Sequence, residues 1–223
     1  MKKKILHLND VKDRFTKIYQ SNYWNNNESV SGFGSTVLAT ENLRSQLTVI
    51  LEKFNIETII DAPCGDFNWM NIFLKENKLK NYIGEDLVSE IIKKNNENFK
   101  NDTINFIELD IIKDPLPTAD LLICRDCLIH FSYKDIQKFL KNFKNSSIKY
   151  LLTTNFSFDK NTDYITNDII TGDHRLTDLN SEPINFPKSL FSIKDYDVDN
   201  IGTAYMDLFE KSQINSIKIP KIL

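Results

Sequence analysis

Short apolar segments alternate with amphipathic segments along most of the chain. Apolar runs rich in β-branched side chains predict strands, and they cover residues 56–62, 81–84, 104–109, 120–124 and 148–154. Apolar residues at helical spacing predict the helices between them, at residues 67–76, through Ile91, Ile92 and Phe99, and at residues 133–143. Strands that alternate with helices are typical of βαβ units, so the pattern predicts an α/β fold with a mostly parallel sheet and helices on both faces.

The two ends of the chain differ from this pattern. We predict a helical extension over residues 1–54, clearest at residues 40–54, and the main domain over residues 55–223. A loop rich in serine and glycine, SVSGFGST at residues 29–36, precedes that helix, and its ordinary interpretation is a flexible connection. Late strands are predicted at residues 190–193 and 204–209, with a further edge strand at residues 216–219.

The segment from residue 155 to residue 188 is polar and has no clear period. It contains Gly172, Pro183 and Pro187. Loops of this length inside a domain are usually functional or disordered. The segment is therefore predicted to be an insertion that contacts substrate.

Composition excludes several classes of protein. The formal net charge is −3 and the sequence pI is about 5.7, which argues against the broad basic surface of a nucleic-acid binder. No apolar run is long enough to span a bilayer. The start, MKKKILHLNDVKDRF, is too short and too polar for a signal peptide, so a cytoplasmic protein is expected.

The three cysteines do not form a disulfide pattern. Cys124 and Cys127 make one C-x-x-C, but there is no second pair and no histidine at zinc spacing. We interpret them as reduced thiols and predict no metal site.

The residues that follow each strand are the informative ones, because ligands of open α/β sheets bind beyond the carboxyl ends of the strands. Asp61, Gly65 and Asp66 follow the first strand. Gly65 allows a tight turn, and Asp66 is predicted to be the N-cap of the next helix. The G-x-G-x-x-G fingerprint and the P-loop are both absent. The acids would repel a diphosphate and would suit a ligand that carries an ammonium and a sulfonium.

Further acids follow the second and third strands. Asp86 lies about 20 residues beyond the glycine turn, a spacing suited to binding ribose hydroxyls. Glu85 precedes it, and strand alternation should point its side chain away. Asp110 stands next to Ile111, a combination that can accept a hydrogen bond from an amine and pack against a purine.

The fourth strand is followed by CRDCLIH, which places Arg125, Asp126 and His130 at the predicted ligand edge. A histidine has a pKa of about 6.5 and can act as a base near neutral pH. The alternatives are that Arg125 and Asp126 simply pair with each other and that His130 is a packing residue.

Taken together, D-x-x-x-G at residues 61–65 and the acids after the next two strands resemble the class I S-adenosylmethionine-dependent methyltransferases. SGFGST, IIDAPCGDFNWM, YIGEDL, CRDCLIHFS and YLLTTNF resemble a mostly uncharacterised bacterial family within that class, over residues 15–209. The resemblance implies a Rossmann-like sheet whose last strand is antiparallel, and S-adenosylmethionine as cofactor. Pro63 and Phe67 stand where the superfamily often has glycine.

The resemblance also implies individual roles. The methionine part would be held after the first strand, the ribose after the second and the adenine between the second and third. The implied cofactor-binding residues are Asp61, Ala62, Gly65, Asp66, Asp86, Leu87, Asp110 and Ile111, together with Arg125.

Catalytic and substrate-binding residues are predicted from chemistry. An oxygen acceptor must lose a proton, which requires a base such as His130 or Asp126, assisted by Arg125. Tyr19 and Trp24 are predicted to cover the site and contact substrate, or else to pack between helices. His174 and Arg175 either hold an anionic substrate or are solvated.

The predicted activity is methylation of a small polar acceptor. The [D/N]-P-P-[Y/F] motif of amino-methylating nucleic-acid enzymes is missing, which argues against DNA or RNA. We expect an O-methyltransferase for a sugar, nucleotide-linked or phosphoryl-containing cell-surface precursor of capsule type, and the oligomeric state is left open. The alternatives are a non-catalytic S-adenosylmethionine-binding module, a protein or RNA methyltransferase, and a dinucleotide enzyme on a related fold.

Overall fold

Strands and helices form where the apolar pattern predicts them between residues 40 and 154, in a computed structural model that describes residues 5–159 and 167–217. The strands are β1 (Thr58–Asp61), β2 (Asn81–Asp86), β3 (Ile104–Glu108), β4 (Leu121–Cys124), β5 (Tyr150–Phe158), β6 (Phe191–Val198) and β7 (Gly202–Glu210). The helices are α1 (Val11–Gln20), α2 (Glu41–Phe54), α3 (Asn68–Glu76), α4 (Ser89–Phe99), α5 (Tyr133–Asn145) and α6 (Lys211–Asn215), with single helical turns at Phe33–Ser35 and Leu128–His130.

The strands make a mixed sheet in the order β3-β2-β1-β4-β5-β7-β6. The β1–β2, β2–β3 and β4–β5 pairs are parallel, and β7 runs antiparallel to both β5 and β6. The predicted α/β sheet, mostly parallel with an antiparallel last strand, is confirmed.

The first of two compact units, Met1–Asp110, contains β1, β2 and β3. Its interior is built around the ring of Phe67, whose centroid lies 4.9 Å from that of Phe106 and 5.2 Å from that of Tyr82. The predicted division of the chain after residue 54 falls inside this unit and stays a prediction.

The second unit, Ile111–Leu223, contains the other four strands. In α5 the apolar face is buried, because Ile136, Phe139 and Phe143 recur at helical spacing. The pairing of β6 with β7 is interrupted by a register shift between Lys194 and Tyr196. Such bulges bend a strand and change the direction of a side chain.

The polar segment that begins at residue 155 is more ordered than predicted. Strand β5 continues to Phe158, because Asn155 and Phe156 are buried and pair with Tyr205 and Ala204 of β7. The prediction of a loop from residue 155 is therefore wrong at its start, and residues 160–166 of it lie outside the described part of the chain.

Two smaller predictions are wrong. Asp66 is not the N-cap of α3, because Phe67 occupies that position in the left-handed region at φ 60° and inserts its ring into the core. Ser216 ends helix α6 instead of beginning an edge strand. Residues 218 and 219 of that predicted strand lie outside the described residues.

Candidate functional site

The carboxyl end of β1 places a buried acid. Asp61 is 2 % exposed, and the hydroxyl of Tyr82 donates to its Oδ2 at 2.8 Å. Burial, with the nearby charge of Asp61, raises the pKa of Tyr82 well above its usual value, so the phenol stays protonated and remains a donor. Tyr82 therefore fixes the Asp61 carboxylate at the strand end.

The end of β2 places a second buried acid beside the glycine turn. Asp86 Oδ1 accepts from the backbone N–H of Val88 at 2.9 Å, and Oδ2 accepts from the backbone N–H of Gly65 at 3.3 Å. Burial raises the pKa of Asp86 to about 6, against the opposing effect of these donors. A carboxylate has about four acceptor positions, so the backbone N–H groups around Asp86 do not saturate it, and it can still accept from a hydroxyl.

Gly65 is required by the close approach of a neighbouring loop. Its φ is 54°, and a Cβ at this position would lie 2.2 Å from Ser31 Oγ. The Gly65 carbonyl accepts from Asn95 Nδ2 at 2.8 Å, and Asn95 Nδ2 also lies 3.7 Å from Cys64 Sγ. Burial, followed by the charges of Asp86 and Asp61, raises the pKa of the Cys64 thiol well above its usual value.

Asn95 was not predicted from the sequence. It is an asparagine 3 % exposed on the apolar side of α4, near Ile91 and Ile92. A buried amide among apolar helix positions is the signal that could have identified it, since buried polar groups need hydrogen-bond partners.

Residues 29–36, which we call the serine loop, are tied to Asp66. The Asp66 carboxylate accepts from Ser29 Oγ at 2.9 Å, from the Val30 N–H at 2.9 Å and from Ser31 Oγ at 3.4 Å. Asn68 Nδ2 adds a bond to the Ser35 carbonyl at 3.0 Å. The role predicted for Asp66 in holding the methionine part of a cofactor stays a prediction, and in this structure its carboxylate binds the loop.

The aromatic residues of the extension lie in the same unit. Trp24 is 36 % exposed, its ring meets that of Tyr23 edge to face at 5.0 Å, and Gly32 of the serine loop packs on it. The Tyr19 hydroxyl accepts from Lys94 Nζ at 2.8 Å. These contacts agree with the packing alternative, and the predicted substrate role of Tyr19 and Trp24 stays a prediction.

The remaining predicted cofactor residues lie within a few residues of the ends of β1, β2 and β3. Ala62 is buried in the turn after β1, and Leu87 is half-buried after β2. Asp110 is half-buried. Ile111 begins the second unit, where its carbonyl accepts from Asn142 Nδ2 at 2.8 Å.

In the second unit, Arg125 is held by two carboxylates. Its Nε and Nη2 donate to the two oxygens of Asp195 at 2.8 Å and 3.2 Å, and its Nη1 lies 3.4 Å from Asp126 Oδ2. Arg125 is 6 % exposed, and the Asp195 side chain is fully buried. Burial raises the pKa of Asp195 to about 6 even though Arg125 opposes the shift. Arg125 and Asp126 do pair, as one alternative held, but within a larger network.

Asp126 is the most exposed carboxylate of this network. Its φ is 48°, its N–H donates to Thr154 Oγ1 at 2.7 Å, and its Oδ1 accepts from the Tyr196 hydroxyl at 2.9 Å. Asp195 and Tyr196 were not predicted from the sequence. The alternation of β6 does not identify them, because the bulge at residues 194–196 decides which side chains turn inward.

His130 lies on the turn after β4 and is half-buried. Its Nδ1 is 2.7 Å from the Asp173 carbonyl oxygen, and the ring of His174 is 5.5 Å away. Burial lowers the pKa of His130 to about 4, so the imidazole is neutral at pH 7. The structure thus brings His130 and His174 together, although separate roles were predicted for them.

Arg175 is 2 % exposed, and its donors are engaged within the protein. Its guanidinium donates to the Phe131 carbonyl at 2.9 Å, to Asp168 at 3.1 Å and to Thr177 at 3.2 Å. Its guanidinium carbon lies 3.9 Å from the centre of the Tyr133 ring. The predicted contact of Arg175 with an anionic substrate stays a prediction.

The part of the chain that the structure describes contains neither a metal-type cluster nor a membrane-spanning helix. Within residues 5–159 and 167–217, no three histidine, cysteine or acidic side chains are grouped as a metal ion would need. Over the same residues, no helix combines the length and the apolar character needed to cross a membrane. Cys64, Cys124 and Cys127 are buried and form no disulfide with one another.

The sheet order is that of the Rossmann-like fold of class I methyltransferases. Among solved structures, magnesium protoporphyrin IX methyltransferase (ChlM) from Synechocystis PCC 6803 with bound SAH has a TM-score of 0.58 at 11% identity, covering 90% of this chain and 97% of that one. The methyltransferase domain of bacterial CtHen1 has a TM-score of 0.57 at 14% identity, over 77% of this chain and 99% of that domain.

A third structure is similar to the same degree. N-methyltransferase NodS from Bradyrhizobium japonicum WM9 has a TM-score of 0.55 at 10% identity, over 77% of this chain and 96% of that one. No protein-family model and no curated protein matches the sequence. At these identities the similarity establishes the fold.

Proposed function

We propose that this protein is an S-adenosylmethionine-dependent methyltransferase that methylates a hydroxyl oxygen of a small polar acceptor. The observation that carries the proposal is Asp86, a buried carboxylate at the end of β2 that is hydrogen-bonded to the glycine turn after β1. Support comes from the fold, which is shared with methyltransferases whose structures contain SAH or SAM.

The residues of the first unit fit this cofactor. Asp86 would accept hydrogen bonds from the two ribose hydroxyls, and Asp61 would face the positively charged methionine end. Asp110 would accept from the adenine amine. Acids at three strand ends favour a ligand with an ammonium and a sulfonium, and they disfavour a dinucleotide because its diphosphate would be repelled.

The chemistry divides simply between cofactor and protein. When bound, the cofactor would supply a methyl group on a positively charged sulfur. The sulfur would keep the electron pair of the broken carbon–sulfur bond, and the methyl carbon would bond to the acceptor oxygen. The chain then has two tasks, to align the acceptor oxygen and to accept its proton. Alignment contributes on the order of 7–11 kcal/mol, and His130 or Asp126 would accept the proton.

The charges of the second unit favour a neutral acceptor. Arg125 is engaged by Asp195 and Asp126, and Arg175 by Asp168 and the Phe131 carbonyl. Because both arginines already have partners, a sugar hydroxyl suits this unit better than a phosphoryl oxygen. We propose a sugar or nucleotide-linked sugar of the kind used in cell-surface polysaccharides, and membership of the bacterial family that the sequence motifs resemble.

Calorimetry followed by a turnover assay tests the proposal. S-adenosylmethionine and S-adenosylhomocysteine should bind with micromolar affinity, and NAD should not bind. Release of S-adenosylhomocysteine should then be measured with neutral sugars, sugar nucleotides and sugar phosphates, with Asp86→Asn as a control whose cofactor affinity is weakened. Cofactor binding without turnover on this panel or on cell extract would indicate a binding module, and binding of NAD alone would overturn the proposal.

A further inference from the structure

Residues 168–177, which we call the strap, are hydrogen-bonded to the turn that carries His130. The N–H of Gly172 donates to the His130 carbonyl at 2.8 Å, and the N–H of Arg175 donates to the Ile129 carbonyl at 2.8 Å. The Ser132 N–H donates to Thr171 Oγ1 at 3.0 Å. The strap is therefore bonded to the backbone on both sides of His130.

Arg175 anchors the strap from within the protein. Its bonds to the Phe131 carbonyl and to Asp168, with its stacking on Tyr133, join the strap to the start of α5. Asp168 Oδ1 also accepts from the Tyr133 N–H at 2.8 Å. An arginine buried to this extent is stable only when its charge and donors are matched, and these partners provide that match.

Thr171 provides a second anchor. Its hydroxyl donates to Asp135 Oδ2 at 2.6 Å. Thr171 is 3 % exposed, so this bond is shielded from competing water. The strap is thus held on either side of Asp173.

The Asp173 carbonyl determines the tautomer of His130. A carbonyl oxygen only accepts, so the 2.7 Å contact requires the proton to be on Nδ1. In a neutral imidazole with a proton on Nδ1, the lone pair is on Nε2. Nε2 is then the atom of His130 that can accept a proton.

We propose that the strap is a positioning element for His130, in which Arg175 and Thr171 hold the Asp173 carbonyl against Nδ1 so that Nε2 accepts the proton of the methyl acceptor. Arg175 acts here through the strap and is not a ligand for the substrate. This inference rests on the proposed methyltransferase function.

The electrostatic environment keeps the His130 ring neutral. Burial lowers the pKa of His130 to about 4, His174 acts in the same direction, and Asp126 and Asp173 oppose it. His130 is thus neutral from about pH 5.5 upward, with the lone pair of Nε2 unprotonated. Asp126 and Asp173 would stabilise the positive charge that develops on the ring as the proton arrives.

Long-range proton–nitrogen NMR of the imidazole rings tests the inference without an acceptor. The chain has three histidines, so His7→Gln and His174→Gln assign the signals of His130. The expected wild-type result is a neutral ring with the proton on Nδ1 from pH 5.5 to pH 8. A proton on Nε2, or rapid exchange between the two tautomers, would overturn the proposal.

Variants of the anchors test whether the strap causes this state. Arg175→Met should give mixed tautomers of His130, because the Asp173 carbonyl is then no longer held against Nδ1. Thr171→Val should have the same effect to a lesser degree and serves if Arg175→Met does not fold. Arg44→Met, which removes an arginine bonded to the Val37 carbonyl in the other unit, is the matched control and should leave the His130 signals unchanged. Unchanged signals in folded Arg175→Met and Thr171→Val would contradict the positioning role.

Calorimetry with S-adenosylmethionine on the same samples separates the two proposals. If the Nδ1–H tautomer is fixed but the protein does not bind the cofactor, the positioning role of the strap is supported and the methyltransferase proposal is refuted. Cofactor binding with a freely exchanging tautomer would remove the positioning role alone.

Discussion

The two units treat their buried carboxylates differently. In the first unit, Asp86 accepts from the backbone N–H groups of Gly65 and Val88, and Asp61 accepts from the hydroxyl of Tyr82. In the second unit, Asp195 and Asp126 face Arg125. Neutral donors orient a carboxylate and leave its charge in place. An arginine orients the carboxylate and also cancels its charge.

Under the proposed function, the carboxylates of the first unit bind a positively charged ligand, and those of the second unit hold the protein's own turns in place. Burial raises the pKa of Asp86 to about 6, which means that the folded protein keeps a charged group there at a cost in stability. That cost is expected of a group that serves a ligand. The arginine pairs of the second unit instead fix the turns that carry Asp126 and His130.

The largest effect is expected from removing the cation of the second unit. Arg125→Met leaves the fully buried Asp195 without its bidentate partner, and breaking a buried pair from one side typically costs about 3–5 kcal/mol. The free energy of unfolding, measured by urea titration at pH 7.5, should fall by that amount. The double variant Arg125→Met with Asp195→Leu should recover most of the loss, and a loss below 1 kcal/mol in the single variant would show that the pair is not essential.

A smaller effect is expected in the pH dependence of the first unit. The pKa of Asp86 is raised from 3.8 to about 6, so between these values the folded state binds the proton and the unfolded state releases it. Wild-type stability should therefore fall relative to Asp86→Asn as the pH rises from 4 to 6, by about 2–3 kcal/mol in total. Urea titrations of both proteins at pH 4, 5, 6 and 7 would measure the difference, and parallel curves would contradict the shift.

The charge of Asp86 should also be visible in cofactor binding. Asp86→Asn removes a charged acceptor and should weaken S-adenosylmethionine binding about tenfold, or 1.4 kcal/mol, at pH 7.5. Isothermal calorimetry measures this directly. Glu97→Gln, an exposed acid on α4, is the matched control and should bind like the wild type. Equal affinities for Asp86→Asn and the wild type would show that Asp86 does not contribute to cofactor binding.

The smallest effect concerns the serine loop. Ser29→Ala removes one of the three bonds to Asp66 and should reduce amide hydrogen-exchange protection across residues 29–36 by about 1 kcal/mol. Ser21→Ala, which removes a hydroxyl bonded to the local Ile18 carbonyl, should leave that region unchanged. Protection that is the same in both variants would mean that the loop is held by its other contacts.

Periodicity predicted the regular elements because their side chains are buried on one face. The start of α3 was mispredicted because Phe67 gains more from burial than Asp66 gains from capping, so the backbone takes a left-handed residue there. The extension of β5 was missed because Asn155 looks like a loop residue. In the structure its amide is buried and bonded to Asp207 and Asn180.

The candidate site was predictable where it follows strand ends. Asp61, Gly65 and Asp86 come together because parallel strands end at one edge. Asp195 and Tyr196 could not be predicted, since a bulge rather than alternation directs them, and Asp173 acts through a backbone carbonyl that is present in every residue type. Contacts of this kind depend on tertiary structure and leave no pattern in the sequence.

The burial of the Cys64 thiol controls how fast it can be alkylated. Its thiol is buried beneath the turn that the serine loop covers, and its raised pKa keeps it protonated. An alkylating reagent can therefore react only during the intervals when that turn is open and the thiolate has formed. The rate of modification at Cys64 thus measures the frequency of opening, and a ligand that closes the turn will slow labelling at this one sulfur.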